Sequence, residues 1–597
     1  MKRHHLIALG LIVLVAAVFS EVPHMDFLDW DDPGNVFDNR CYRPVTVEKL
    51  AQLWREPMLG FYMPVTRTVW AGLATIAVEP GADLATAPQP FRPGVFHAAN
   101  LVVHAANVLL VFALLRLLGL GDWGAGAGAA VFAVHPLQVE PVAWVTGLKD
   151  VLSACFALLA LWQYLLAAAP REQGRPGRPR LRYALGLAFF ALGVLSKQTV
   201  VVLPAIAFAL DVGVLRRPWR RSALALAGWL PVALAGALLA SWTEAGMVPT
   251  DEVAWWQRPF VAGDALAFYL GKLFCPVRLM AHYGRAPLLV MQHCWAYLTW
   301  LAPAGLIVVL VGVRGRAPEL TAAGAVFIIG LLPVLGLVPF GNQDVGNRFA
   351  YLSMLGAAQA LGLVVRALPH RATAYVIAAL VLVLSALSLR ESYYWYSSAT
   401  LFERNAQLNP RSWAAHEVLG KEYQRRGDPV RAEAHYRLAL QANPSSVGVY
   451  DNYGALLSAT GRPEQAVEMF RRAIELDPER ALSRFNLGTA LLALDRAQEA
   501  VDHLRQGARL SPGDARMQAT LGSALVRTGA AEEGIAHLRR AIELDPGYGL
   551  AHFNLGLALR DAGRQQEATE HFDAARRLGI TLAPPPPLDR PRGQDQG

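Results

Sequence analysis

Leu419-Gly420, Tyr453-Gly454, Leu487-Gly488, Leu521-Gly522 and Leu555-Gly556 recur at intervals of 34 residues. Two columns of small residues keep step with them: Ala432, Ala466, Ala500, Gly534 and Ala568, then Ala439, Ala473, Gly507, Ala541 and Ala575. Pro444, Pro478, Pro512 and Pro546 close the first four units, and Ile580 stands in the fifth. Small residues let two helices cross closely, and each proline ends the second helix. A fixed period of this length marks stacked helix pairs. Residues 412–579 therefore read as five helical repeats forming an α-solenoid.

The pattern is the tetratricopeptide signature. A stack of such units makes a curved groove that suits an extended peptide or a partner helix. The plainer reading is a structural cap or spacer. Residues 393–411 read as a linker into the array. The tail, 580–597, is rich in Pro, Arg, Asp and Gln and reads as disordered.

Upstream, residues 1–392 have another character. The chain of 597 residues is 54% hydrophobic and 17% charged. Its long apolar runs crowd the first two thirds, which suits a polytopic membrane bundle. The net charge of +8 is small for this length. Its basic residues cluster in short loops between apolar runs, so they act as topology signals and no nucleic-acid partner is expected. Five arginines fall in 171–182, four in 216–221 and two in 314–316, and Arg366 and Arg371 bracket another turn. Keeping these loops cytoplasmic gives about eleven spans, provided 259–294 does not cross. The N-terminus is then cytoplasmic, read as a retained signal anchor. The loop 21–93 and the repeats lie outside, in the periplasmic or extracytoplasmic space, and the chain is a multi-pass inner-membrane protein. The whole reads as all-α.

Within the first external loop, Thr46–Arg55 has the spacing of a short amphipathic helix that Thr46 can cap. Met63–Val78 is short for a span and reads as an interfacial or packed helix. In the span Val95–Leu118, His97, Asn100, His104 and Asn107 fall on one face. Such a stripe serves either interhelical hydrogen bonding or a wet cavity. The cysteines Cys41, Cys155, Cys275 and Cys294 form no metal-ligand spacing, and no metal is expected. A Cys275–Cys294 disulfide is chemically possible outside the cytosol.

The first loop begins with Phe27-Leu28-Asp29-Trp30-Asp31-Asp32, carboxylates placed just beyond an apolar run. Charge is costly in hydrocarbon but not at its edge. Asp31 and Asp32 therefore read as an acidic pair at the mouth of a membrane-embedded cavity.

Several words of this sequence resemble a known family. They are Trp30-Asp31-Asp32, Tyr42-Arg43-Pro44, Phe96-His97-x-x-Asn100, and Phe132-Ala133-Val134-His135-Pro136-x-x-Val139-Glu140-x-Val142-Ala143-Trp144. Gly147-x-Lys149-Asp150, Ser196-Lys197-Gln198, Asn347-Arg348-Phe349-x-Tyr351-Leu352 and Trp395-x-x-Ser398-x-x-Leu401-Phe402 continue the match. Together with the repeats they resemble the transmembrane and tetratricopeptide-repeat proteins. These belong to the C-type (GT-C) glycosyltransferase superfamily, which includes the protein O-mannosyltransferases. Gln138 stands where relatives often have a second His, and Asn347 and Ser353 where many have Asp and Pro; these departures bear on donor specificity.

The resemblance implies a GT-C-like membrane domain. It further implies transfer of a sugar, usually mannose, from a polyprenyl-phosphate carrier to hydroxyls of envelope proteins outside the cytosol. No tightly bound cofactor is expected. The partners are membrane lipid, the polyprenyl-phosphate-linked sugar as donor, and a protein acceptor held by the repeats. Transfer to a hydroxyl needs a base, and a carboxylate beside a like charge has the raised proton affinity that suits one. Asp31 and Asp32 are the candidates, Asp31 favoured. The plainer reading is an N-cap and a solvated acid. Arg348, Lys197 and Lys149 are placed to hold the donor phosphate, as cations near a departing phosphate; alternatively each snorkels to the interface. His135 and Glu140 either orient substrate or shape the turn between Pro136 and Pro141. Two other classes stay open: a non-catalytic membrane scaffold recruiting partners through the repeats, and a lipid-linked sugar transporter.

Overall fold

The computed structural model describes residues 2–581 except 59, 85–86, 169–177, 245–252, 338–344 and 369–370. Part of the basic loop 171–182 and nearly all of the expected disordered tail thus lie outside the described residues. The described chain is helical. Its only β features are two isolated bridges, Met58 with Phe61 and Val78 with Phe91. It forms two compact units, Met1–Ser412 and Trp413–Gly597.

In the first unit the expected span Val95–Leu118 corresponds to the helix Pro93–Leu117. Among the described residues six helices are long and apolar enough to cross a membrane: Arg3–His24, Pro93–Leu117, Val145–Ala168, Trp219–Thr243, Ala296–Val313 and Arg371–Tyr394. Gln198–Gly213, Pro318–Val334 and Met354–Ala367 are shorter apolar helices. Gly121–Val134 and Pro179–Ser196 are further helices of this unit. The 259–294 region folds as the helix Arg258–Phe274 and then short turns, and it is not among the six. Gly121–Val134 and Met354–Ala367 cross backbone to backbone, since a Cβ on Gly124 would lie 2.7 Å from the Gly362 carbonyl oxygen. Close crossings through small residues are the usual glue of membrane helices.

The polar stripe serves interhelical hydrogen bonding. Asn100 donates to the Trp144 carbonyl at 2.6 Å, and Asn107 donates to the Val151 carbonyl at 2.8 Å. His104 lies 2.7 Å from the Tyr351 hydroxyl and 3.0 Å from the Ala133 carbonyl. All four stripe residues are fully buried. In the first loop, Val47–Arg55 is helical, with the Thr46 hydroxyl accepting from the Lys49 N–H. Pro64–Ala77 is a packed helix in which buried Arg67 donates to the Met58 carbonyl at 2.5 Å. The four cysteines are free thiols, so Cys275 and Cys294 are not joined.

The segment expected as a linker, 393–411, instead carries the helix Ser398–Leu408, and it belongs to the first unit. Ser397 caps it. The segment anchors the acidic loop: the Asp26 N–H donates to the Tyr396 carbonyl at 3.1 Å, and the Asp29 N–H to the Ser398 hydroxyl at 2.8 Å. Asn405 reaches the His282 backbone from the other side.

The described residues of the second unit form five helix pairs, from Trp413–Arg425 with Pro429–Ala442 to Gly549–Asp561 with Gln565–Arg577. The columns of small residues are buried between paired helices. At Gly454 an added Cβ would meet the Phe470 ring at 2.5 Å, so the glycine of the dipeptide that sets the period is a socket for a large side chain, aromatic at Gly420, Gly454 and Gly556 and leucine at Gly488 and Gly522. Successive second helices are tied by Arg471–Glu499, Arg505–Glu533 and Arg539–Glu567 at 2.7–3.0 Å. These pairs are exposed and each contributes little stability.

Candidate functional site

The turn after Phe27 bends so sharply that its two neighbouring aspartates diverge. Asp32 is fully buried. One of its oxygens accepts the Leu28 N–H at 2.8 Å. The other accepts the Thr146 N–H at 3.0 Å and the Thr146 hydroxyl at 2.6 Å. Asp32 thus braces the loop against the turn that precedes Lys149, and it has no open face for an acceptor. Asp31 is 41% exposed, and the Lys149 ammonium lies 3.9 Å from its carboxylate. The expected acid pair is therefore one brace and one open carboxylate, because hydrogen bonding to a segment 114 residues away draws Asp32 inward.

Burial pushes the Asp32 carboxyl up to about 7, against the lowering effect of its bonds from Thr146 and Leu28. Between about pH 4 and pH 7 the folded protein then holds a proton that the unfolded chain has released. Stability attributable to this group therefore falls as pH rises through that window. Thermal unfolding in detergent across this range should show the slope, and Asp32→Asn should flatten it.

The turn 135–138 and the short helix Val139–Ala143 present Glu140. Glu140 is buried, accepts the Asn347 N–H at 3.1 Å and forms an ion pair with Arg348. Burial opposes the Arg348 charge, but Glu140, Asp150 and Asp31 outweigh it and hold the guanidinium above its usual value. His135 is not brought into the cluster. Its Nδ1 accepts the Leu137 N–H at 3.3 Å and its Nε2 lies 3.1 Å from the Leu273 carbonyl. Burial lowers it to about 4, so it is a neutral cap for the turn.

Lys197, just past the helix Pro179–Ser196, forms an ion pair with Asp150. Three carboxylates, Asp31, Glu140 and Asp150, thus alternate with three cations, Lys149, Arg348 and Lys197. Aromatic rings support the cations. Trp30 and Trp144 stack with centroids 4.9 Å apart, and Lys149 lies 5.1 Å from the Trp144 ring. Arg348 sits 4.6 Å from the Phe349 ring and Lys197 5.0 Å from it. Cations over ring faces are stabilised by the ring quadrupole, more so when desolvated. A crevice beside the cluster is lined by Asp150, Ser153, Thr199, Arg348, Phe349 and Tyr351.

Sequence reasoning brought Asp31, Glu140, Lys149, Lys197 and Arg348 to this place. It passed over Asp150, Thr146, Trp30 and Trp144 as site residues. Three of these stand inside the family-like words, and that adjacency was the available signal.

A family model described as tetratricopeptide repeat matches residues 454–515 and 520–583. The chain is 34% identical to Protein O-mannosyl-transferase Tmtc2 of Drosophila melanogaster over 20% of its own length and 13% of that protein. It is 25% identical to Protein O-mannosyl-transferase F38B6.6 of Caenorhabditis elegans over 58% of its own length and 50% of that protein. These matches span half or less of the curated relatives. Among solved structures, YrrB, described as a TPR protein with an unusual peptide-binding site, matches 30% of this chain and 92% of its own at 22% identity, with a TM-score of 0.27. With its apolar helices and its repeats, the chain fits a transmembrane and tetratricopeptide-repeat family whose curated members are named protein O-mannosyl-transferases.

Proposed function

We propose that this chain is a GT-C-type glycosyltransferase that moves a sugar, mannose by the naming of its relatives, from a polyprenyl-phosphate carrier to hydroxyls of envelope proteins. The observation that carries the reading is the half-exposed Asp31 carboxylate facing Lys149 beside Arg348 and Lys197. Asp31 takes the proton of an acceptor hydroxyl as its oxygen bonds to the sugar C1. The C1–phosphate bond breaks, and its electron pair leaves with the phosphate. Arg348, Lys197 and Lys149 stabilise that leaving charge. Asp32 positions Asp31 through Thr146, Glu140 orients Arg348, and the repeats hold the acceptor protein.

The donor meets the site on the non-cytoplasmic face of the inner membrane, with the arginine-rich loops inside. Green fluorescent protein fused at Arg216 should fluoresce and alkaline phosphatase fused there should be inactive, with the reverse after Thr400. Fluorescence at the second position would defeat this orientation.

Mass spectrometry of envelope proteins, with and without the chain, should show hexose lost from Ser or Thr when it is missing. Removing 413–581 should spare membrane insertion and reduce modification of protein substrates. An unchanged glycan profile in the first comparison would overturn the enzymatic reading. A second reading, a non-catalytic scaffold, is favoured by the mutual neutralisation of the three cations and three carboxylates. It expects no hexose difference and a loss of partner recruitment instead.

A further inference from the structure

Asp150 is 94% buried, yet its two oxygens have unequal surroundings. Lys197 holds Oδ1. Oδ2 is buried and finds no hydrogen-bond partner among the described residues. A buried carboxylate oxygen left unmatched is costly unless a water or a ligand donor answers it. Asp150 lines the crevice, together with Arg348 and Phe349. The nearby Ser153 hydroxyl does not answer it, since it donates to the Asp150 main-chain carbonyl at 3.1 Å.

The chemistry of Oδ2 selects its ligand. An anionic oxygen repels phosphate and demands a hydrogen-bond donor. A second cation is not needed, because Lys197 is already bound and Arg348 adds positive charge nearby. A neutral hydroxyl meets the demand, and a hydroxyl on carboxylate is among the stronger hydrogen bonds. The Lys197 bond also fixes the carboxylate, so Oδ2 is held in one orientation in a residue that lines the crevice. Asp150 directly follows Lys149, the partner of Asp31, so the acid that would read the sugar and the base that would activate the acceptor flank one lysine in the cluster.

We propose that Asp150 determines donor specificity by accepting, through Oδ2, one ring hydroxyl of the hexose on the lipid phosphate. The proposal rests on the glycosyl-transfer reading and names the sugar-reading group within it. A site built to bond a hydroxyl rejects the analogue that lacks it, because the site's own polar group is then stranded.

The test uses the full-length protein in nanodiscs with polyprenyl-phosphate mannose and its monodeoxy analogues. Wild type should prefer the parent over one analogue by roughly 10- to 100-fold in kcat/KM. Asp150→Ala should lose transfer from the parent by a similar factor and treat parent and analogue alike. If Asp150→Ala does not fold, Asp150→Asn keeps the shape with a weaker neutral acceptor and should narrow the same preference. Wild type that discriminates against none of the analogues overturns the proposal. So does a folded Asp150 variant that keeps the wild-type preference while transfer persists, which leaves the enzyme reading standing. Wild type that neither binds nor transfers from the parent removes the enzyme reading and this site with it.

Discussion

Asp31→Asn leaves the first unit folded and lowers sugar transfer by roughly two to four orders of magnitude, the usual cost of losing a general base. The substitution barely changes size, and Asp31 is 41% exposed with only a 3.9 Å contact to Lys149, so little packing depends on its charge. Asp32→Asn is expected to behave differently. Two backbone N–H groups and a hydroxyl converge on its two oxygens, and an amide must turn an NH2 toward one of them. That substitution should cost stability by about 1–3 kcal/mol, and activity should fall through misplacement of the loop. Asp29→Asn is the control with a mild effect, since the Asp29 contact to Ser398 is made by its backbone N–H. Transfer from a polyprenyl-phosphate donor in nanodiscs, run beside thermal unfolding, separates these outcomes. Near-wild-type turnover in folded Asp31→Asn would hand the chain to the scaffold reading.

Arg348→Ala should destabilise the first unit by about 3–5 kcal/mol, because it strands the buried Glu140 carboxylate without its partner. Donor use should be lost as well, but in that single variant the two effects are mixed. The double variant Glu140→Gln/Arg348→Met removes both charges and should recover most of the stability while leaving donor use lost. Arg348→Lys keeps the charge without the planar fork and should fall between wild type and Arg348→Ala in donor affinity. Donor titration by fluorescence or calorimetry reads the affinity, and detergent melts read the stability. A double variant that binds donor as wild type does would remove Arg348 from the phosphate site.

Periodic and compositional features were the legible ones. The repeats could be read because one packing geometry demands small residues at the same places five times over. The apolar runs could be read because each needs only its own residues to identify it. The polar stripe was legible as a face, but its use depended on Trp144, Ala133 and Tyr351, which are distant in sequence. The same limit applied to Asp32. Its brace is Thr146, and nothing local distinguishes a buried acceptor from an open base. His135 was open between orienting substrate and shaping its turn, and the structure takes up one ring nitrogen in that turn and the other at the distant Leu273 carbonyl. The helix after Ser397 was passed over as a linker, although its cap and the word Trp395-x-x-Ser398-x-x-Leu401-Phe402 were there to be read.

The bond from the Asp29 N–H to Ser398 joins positions 369 residues apart. At about 5–20 residues per second, a ribosome takes roughly 20–70 s to cover that distance. The acid-bearing loop is among the first parts of the chain to be made, and its last anchor is among the later ones. The apolar helices of the first unit, the last of which ends at Tyr394, are therefore synthesised before that bond can form. A chain cut short before residue 398 would keep the Thr146 brace on Asp32 but lack the Ser398 anchor at Asp29, so synthesis order leaves the acid-bearing loop half-fastened in a partial product.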